Sequence, residues 1–118
     1  FFIQYNCKKD PKYDEDSAIV LIRSDDKGRD LFGPYITQTG WWTFGMSFTP
    51  DAKVHYYASP GVDALTQADY ITSTRPYNAK TQRLVTFFFN VVNMDDGRTW
   101  STNWIVDDPE VFVLRRLR

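Results

Sequence analysis

Between Gly40 and Ala58 the chain carries the pattern of a complete β-hairpin, and no other stretch constrains the fold as much. Trp42, Phe44, Met46 and Phe48 alternate with Trp41, Thr43, Gly45 and Ser47, so one face is apolar and the other small and polar. Pro50-Asp51-Ala52-Lys53 has turn chemistry, because proline presets φ and aspartate bonds its own backbone. Val54 to Ala58 then resumes alternation with residues suited to a pleated, half-buried surface. Such a hairpin sets the class as antiparallel β.

The flanking sequence continues in that manner. Phe1 to Asn6 reads as a strand, and Lys8 to Asp16 as a charged connection containing Pro11. Ala18 to Arg23 is an unbroken apolar run, the pattern of a central strand covered on both faces. Ser24 to Asp30 is a loop through Asp25-Asp26-Lys27-Gly28, and Leu31 to Thr37 reads as a short edge strand interrupted at Gly33-Pro34. After Ser59-Pro60-Gly61, the spacing of Val62, Leu65, Ala68 or Asp69, and Ile71 predicts one short helix over Val62 to Thr72. It is too short to be stable alone and has to pack on a sheet. Ser73 to Gln82 is a polar loop.

Arg83 to Val92 is apolar on both faces and is expected as another central strand. Asn93 to Gly97 ends in Asp-Gly, a strong hairpin signal; Arg98 to Val106 returns as an aromatic strand, and Glu110 to Leu114 closes the set. Roughly seven to nine strands fit the length, with no βα alternation. The expectation is a β-sandwich or barrel in a single domain over residues 1–118. Phe1-Phe2-Ile3-Gln4-Tyr5 reads like the interior of a strand, so the chain is expected to be a trimmed or excised part of a longer polypeptide.

Composition narrows the chemistry. The net charge of −1 gives no general attraction to nucleic acid or to anionic membranes. No apolar run approaches the roughly 20 residues that cross a bilayer as a helix. Cys7 is the only cysteine and His55 the only histidine, which excludes an internal disulfide and a four-ligand zinc site.

The order of elements in the C-terminal two-thirds resembles the concanavalin A-like jelly roll, especially laminin G-like and related glycan-associated domains. The residues that carry the resemblance are Trp42 to Phe48, Val54 to Tyr57 and the closing segment Trp104-Ile105-Val106-Asp107-Asp108-Pro109-Glu110-Val111-Phe112-Val113. It spans roughly Gly40 to Leu114, with Ala52 standing where that hairpin turn most often has glycine. The resemblance implies an antiparallel jelly-roll sandwich and an extracellular or cell-envelope setting. It also implies a structural calcium near the closing strand, for which Asp107 and Asp108 are the candidate ligands.

Catalysis finds little support in the residues. Jelly-roll glycosidases place their carboxylates on alternate positions of one strand, and no such run exists here; Asp14-Glu15-Asp16 are adjacent and point to opposite faces. Saccharide binding asks instead for aromatic faces beside hydrogen-bonding side chains. His55 and Tyr57 share a face of the hairpin, and Arg83 and Trp100 would complete a platform if they lie on the same concave sheet. Arg75 and Tyr77, in the loop before Gln82, are further recognition candidates. The sequence therefore points to a non-catalytic carbohydrate-binding module whose partner is a glycan. The rival reading is an assembly domain whose partner is a neighbouring protein domain, and a third is a glycoside hydrolase-like fragment of an incomplete chain.

Overall fold

Ile19, Val20, Leu21 and Ile22 are all buried, and the strand that carries them is the centre of its sheet. The computed structural model describes residues 1–80, 85–92, 97 and 105–114, which fall into two compact units, Phe1–Val85 and Thr86–Arg118. In the first unit, β1 (Phe2–Asn6), β2 (Ser17–Arg23) and β3 (Asp30–Ile36) form one antiparallel meander. A second meander follows from β4 (Trp42–Phe48), β5 (Val54–Pro60) and β6 (Tyr70–Thr74). Among the described residues the fold is all-β, with two antiparallel three-stranded sheets that do not close on themselves and helix limited to single 3-10 turns.

The two sheets meet through a small core. Ile22 of β2 clusters with Val54 and Tyr56 of β5, and Phe1 and Ile71 pack against this group. The Phe1 ring lies edge-on to both Phe44 and Tyr56, with centroids 5.5 and 5.1 Å away. This contact assigns the faces. In the second sheet the inner row is Trp42, Phe44, Met46 and Phe48, paired across the ladder with Pro60, Ala58, Tyr56 and Val54. In the first sheet Val20 and Ile22 face inward, so Ile19, Leu21 and Arg23 face outward.

The hairpin between β4 and β5 forms as the sequence predicts, with Phe48 opposite Val54. Its loop is Pro50-Asp51-Ala52, closed by the Ala52 N–H donating to the Thr49 carbonyl at 2.9 Å. Such three-residue loops end in a left-handed residue, which is why glycine is favoured there. Ala52 holds that conformation with φ 66°.

Three expectations are corrected. The helix over Val62 to Thr72 does not form: a single 3-10 turn at Gln67–Asp69 leads directly into β6. The physical reason is that Thr72 and Thr74 are β-branched and find ladder partners in β5, and β-branched Ile71 packs on the core, which together outweigh one weak helical stripe. The interruption of the third strand at Gly33-Pro34 is a bulge inside a continuous β3. Of the expected strands over Arg83 to Val92 and Glu110 to Leu114, the described residues 85–92 and 110–114 carry no ladder. Apolar composition favours burial but supplies no strand partner, and Phe88 and Phe112 stand exposed. Residues 81–84, 93–96 and 98–104, including most of the expected Asp-Gly turn and the aromatic return strand, lie outside the described residues.

Ile22 has no exposed surface. Ile22→Ala is expected to destabilise the chain by about 2–5 kcal/mol, read as a lower urea midpoint at constant slope. Ala52→Gly is expected to act in the other direction, raising stability by about 0.5–1 kcal/mol by relieving the left-handed backbone.

Candidate functional site

The outer face of the second sheet gathers the residues that chemistry singles out. Across the ladder His55 lies between Ser47 and Ser73, and Tyr57 lies between Gly45 and Tyr70. A register shift between Tyr56 and Tyr57 leaves Ile71 as the extra residue of β6. Regular pairing would set Ile71 opposite Tyr57 and turn Tyr70 inward. The bulge instead sends Ile71 to the core and Tyr70 to the outer face.

Three rings consequently lie side by side. The Tyr70 centroid is 5.5 Å from that of Tyr57, close to edge-on, and 6.1 Å from that of His55. These separations suit favourable aromatic packing and leave the rings half open to water. One side of the group is bounded by Leu65, whose side chain occupies the space above Gly45: a Cβ built there would come within 2.5 Å of Leu65 Cδ1. A side chain at this position would therefore make the Leu65 side chain turn aside.

The approach to β6 is held by Asp69. Its carboxylate accepts from the Thr66 backbone N–H at 2.7 Å and the Thr66 hydroxyl at 2.9 Å, while Thr66 Oγ1 accepts from the Ala68 N–H. This reciprocal cap ends the 61–66 segment and delivers Tyr70 into the ladder. The Thr66 N–H, followed by hydroxyls of Ser59 and Thr66, holds the Asp69 carboxyl below its ordinary pKa of 3.8.

A polar relay continues from the rings toward the β4–β5 turn. Thr49 donates its hydroxyl to Asp51 and lies 3.1 Å from His55 Nε2. With that proton committed to Asp51, His55 is the donor to the Thr49 oxygen through Nε2–H. Asp51 is held below the ordinary carboxylate pKa, first by the Thr49 hydroxyl and then by the Lys53 N–H and the charges of Lys53 and Arg75. Arg75 also donates to the Asp51 carbonyl at 3.2 Å, tying the end of β6 to the hairpin turn.

Of the sequence candidates, His55 and Tyr57 share the outer face, and Arg75 joins them through Asp51 and Thr49. Tyr77 stands apart, exposed in the turn Pro76–Asn78 with φ 56°. Arg83 and Trp100 lie outside the described residues. Asp107 and Asp108 are neighbours in an irregular stretch, where the Asp108 N–H donates to the Asp107 carboxylate at 3.0 Å. Calcium takes six to eight oxygen ligands, so a site at Asp107 and Asp108 would draw further oxygen donors beyond these two carboxylates. No metal-holding group of three or more His, Cys, Asp or Glu occurs among the described residues. Tyr70, Thr49 and Asp51 were not among the sequence candidates. The signals that could have found them are the Thr66-x-x-Asp69 cap and the β-branched alternation of Ile71, Thr72 and Thr74.

No protein-family model matches the chain, and no curated protein or solved structure matches it.

Because the Asp69 carboxyl titrates below its ordinary 3.8 in the folded chain, its contribution is complete above that value and is lost as pH falls through the folded pKa. Asp69→Asn is expected to weaken the fold near neutral pH and to flatten the acid limb of the stability curve. Thermal unfolding followed from about pH 7 to about pH 2 measures both effects.

Proposed function

We propose that this chain is a non-catalytic carbohydrate-binding module of a larger extracellular or cell-envelope protein. On this reading its six strands belong to a concanavalin A-like jelly roll. The observation that carries the proposal is the bulge that sets Tyr70 beside Tyr57 and His55 on an outer sheet face. Sugar rings present apolar C–H faces and a rim of hydroxyls. Half-exposed aromatic rings meet the faces, and the Thr49, Asp51 and Arg75 groups beside them suit the hydroxyls. A mostly preformed surface of this kind binds with little ordering cost.

A second reading, an assembly domain that packs on another protein domain, is favoured by a different observation. The inner row of the second sheet is incompletely covered, with Phe44, Met46 and Phe48 each more than a third exposed. The sheets also end in the edge strands β1, β3, β4 and β6. Exposed apolar rows beside open edges suit association.

A glycan array probed with the purified chain separates the two. The expected outcome is saturable binding to one glycan class, weakened about tenfold or more by Tyr57→Ala and by Tyr70→Ala. Repeating the array in EDTA tests the calcium that the resemblance implies at Asp107 and Asp108, and binding that survives chelation shows that saccharide recognition does not use that ion. A blank array together with a concentration-dependent dimer in light scattering would replace the saccharide reading with the assembly reading.

A further inference from the structure

The outer face of the first sheet contains a recess of about 510 Å³, within the range of small-ligand sites of roughly 300–1,000 Å³. Its floor is Ile19 and Leu21 of β2. On one flank stand Gln4 and Asn6 of β1, which pair with Ile19 and Ser17. Phe32 and Tyr35 of β3 form the other flank, opposite Leu21 and Ile19, and Tyr13 reaches in from the β1–β2 connection.

Phe32 and Tyr35 are three positions apart, so a regular strand would send them to opposite faces. A bulge at Gly33-Pro34 places both on the recess side. Gly33 suits the close approach: a Cβ there would lie 3.1 Å from the Val20 carbonyl oxygen and 3.3 Å from Val20 Cβ, a tight fit. The product is a pair of largely exposed rings, Phe32 at 77% and Tyr35 at 61% of their full accessible surface. Phe32 faces outward by ordinary strand alternation, and the bulge turns Tyr35 to the same side.

The polar lining is neutral. Gln4 Nε2 donates to Asn6 Oδ1 at 2.8 Å, which fixes the two carboxamides and leaves the Gln4 amide oxygen with no protein donor among the described residues. Asp30 is neutralised by Arg23, whose Nε lies 2.8 Å from its carboxylate. The Arg23 guanidinium also sits 5.2 Å above the Phe2 ring, which anchors the pair at the end of the face. A neutral lining gives no advantage to a phosphate, a polyanion or a metal ion. Fixed amides beside exposed rings favour a neutral ligand with hydroxyl edges and apolar ring faces.

We infer that this recess is a second saccharide site, separate from the His55–Tyr57–Tyr70 face and selective for neutral sugars. The two sites lie on different sheets and share no residue.

The test is amide NMR of the isotope-labelled chain, titrated separately with maltotetraose, cellotetraose and mannotetraose. With at least one of these probes, the side-chain amide signals of Gln4 and Asn6 should shift saturably. Tyr35→Ala should weaken that binding about tenfold or more, whereas Tyr57→Ala should leave it unchanged. Phe32→Ala provides an independent variant, and circular dichroism checks that each retains its sheet content. Shifts confined to the His55–Tyr57–Tyr70 face would overturn the second site and leave the first standing. Shifts at Gln4 and Asn6 that survive both Tyr35→Ala and Phe32→Ala would overturn the role of the bulge-held rings. No saccharide-induced shift anywhere would overturn both sites.

Discussion

The contact of Ile22 with Val54 and Tyr56 is the one on which the rest depends, because it is where the two sheets become a single unit. Each meander has three strands with one apolar face, and packing the two faces together takes that apolar surface out of water. Once Ile22 and Val54 point toward each other, strand alternation determines the direction of every other side chain. The outer positions of β2 and β5 then carry Ile19 and Leu21 on one side of the molecule and His55 and Tyr57 on the other.

Two single-residue bulges modify that alternation, and both do the same thing. In β6 the extra residue moves Ile71 into the core and Tyr70 out; in β3 the irregularity at Gly33-Pro34 brings Tyr35 onto the face of Phe32. A bulge disrupts the ladder locally, and its reward in each sheet is a second ring beside one already facing outward. The outer faces differ in their polar groups. One has an imidazole, a hydroxyl, a carboxylate and a guanidinium in series, and the other has two carboxamides with an internally neutralised ion pair. Their chemistry is distinct although they are assembled by the same device.

Much of the ordered sheet structure was legible in the residues. The apolar run at Ala18 to Arg23 required burial on both faces, and its interior is buried. The hairpin from Trp42 onward announced itself by alternation and by proline and aspartate in the turn. The same apolar logic misled at Val85 to Val92, where residues fit for a central strand carry no ladder. Hydrophobicity is a property of the segment, whereas strand formation is a property of a pair. The Val62 to Thr72 helix failed for a related reason: a stripe of four residues is a weak local preference, and the open edge of β5 offered β-branched residues a better alternative.

For the site, the sequence alone determined that His55 and Tyr57 share a face, because that follows from a period of two within one strand. It also determined the kind of chemistry available, through a single histidine, a single cysteine and abundant aromatic rings. Tertiary structure decided which rings become neighbours. Tyr70 stands beside Tyr57, and Tyr35 shares a face with Phe32, only because one extra residue shifts the register between strands. Register is fixed by the partner strand and by what the core accepts, and a shift of one residue exchanges the two faces. No reading of a segment in isolation contains that information.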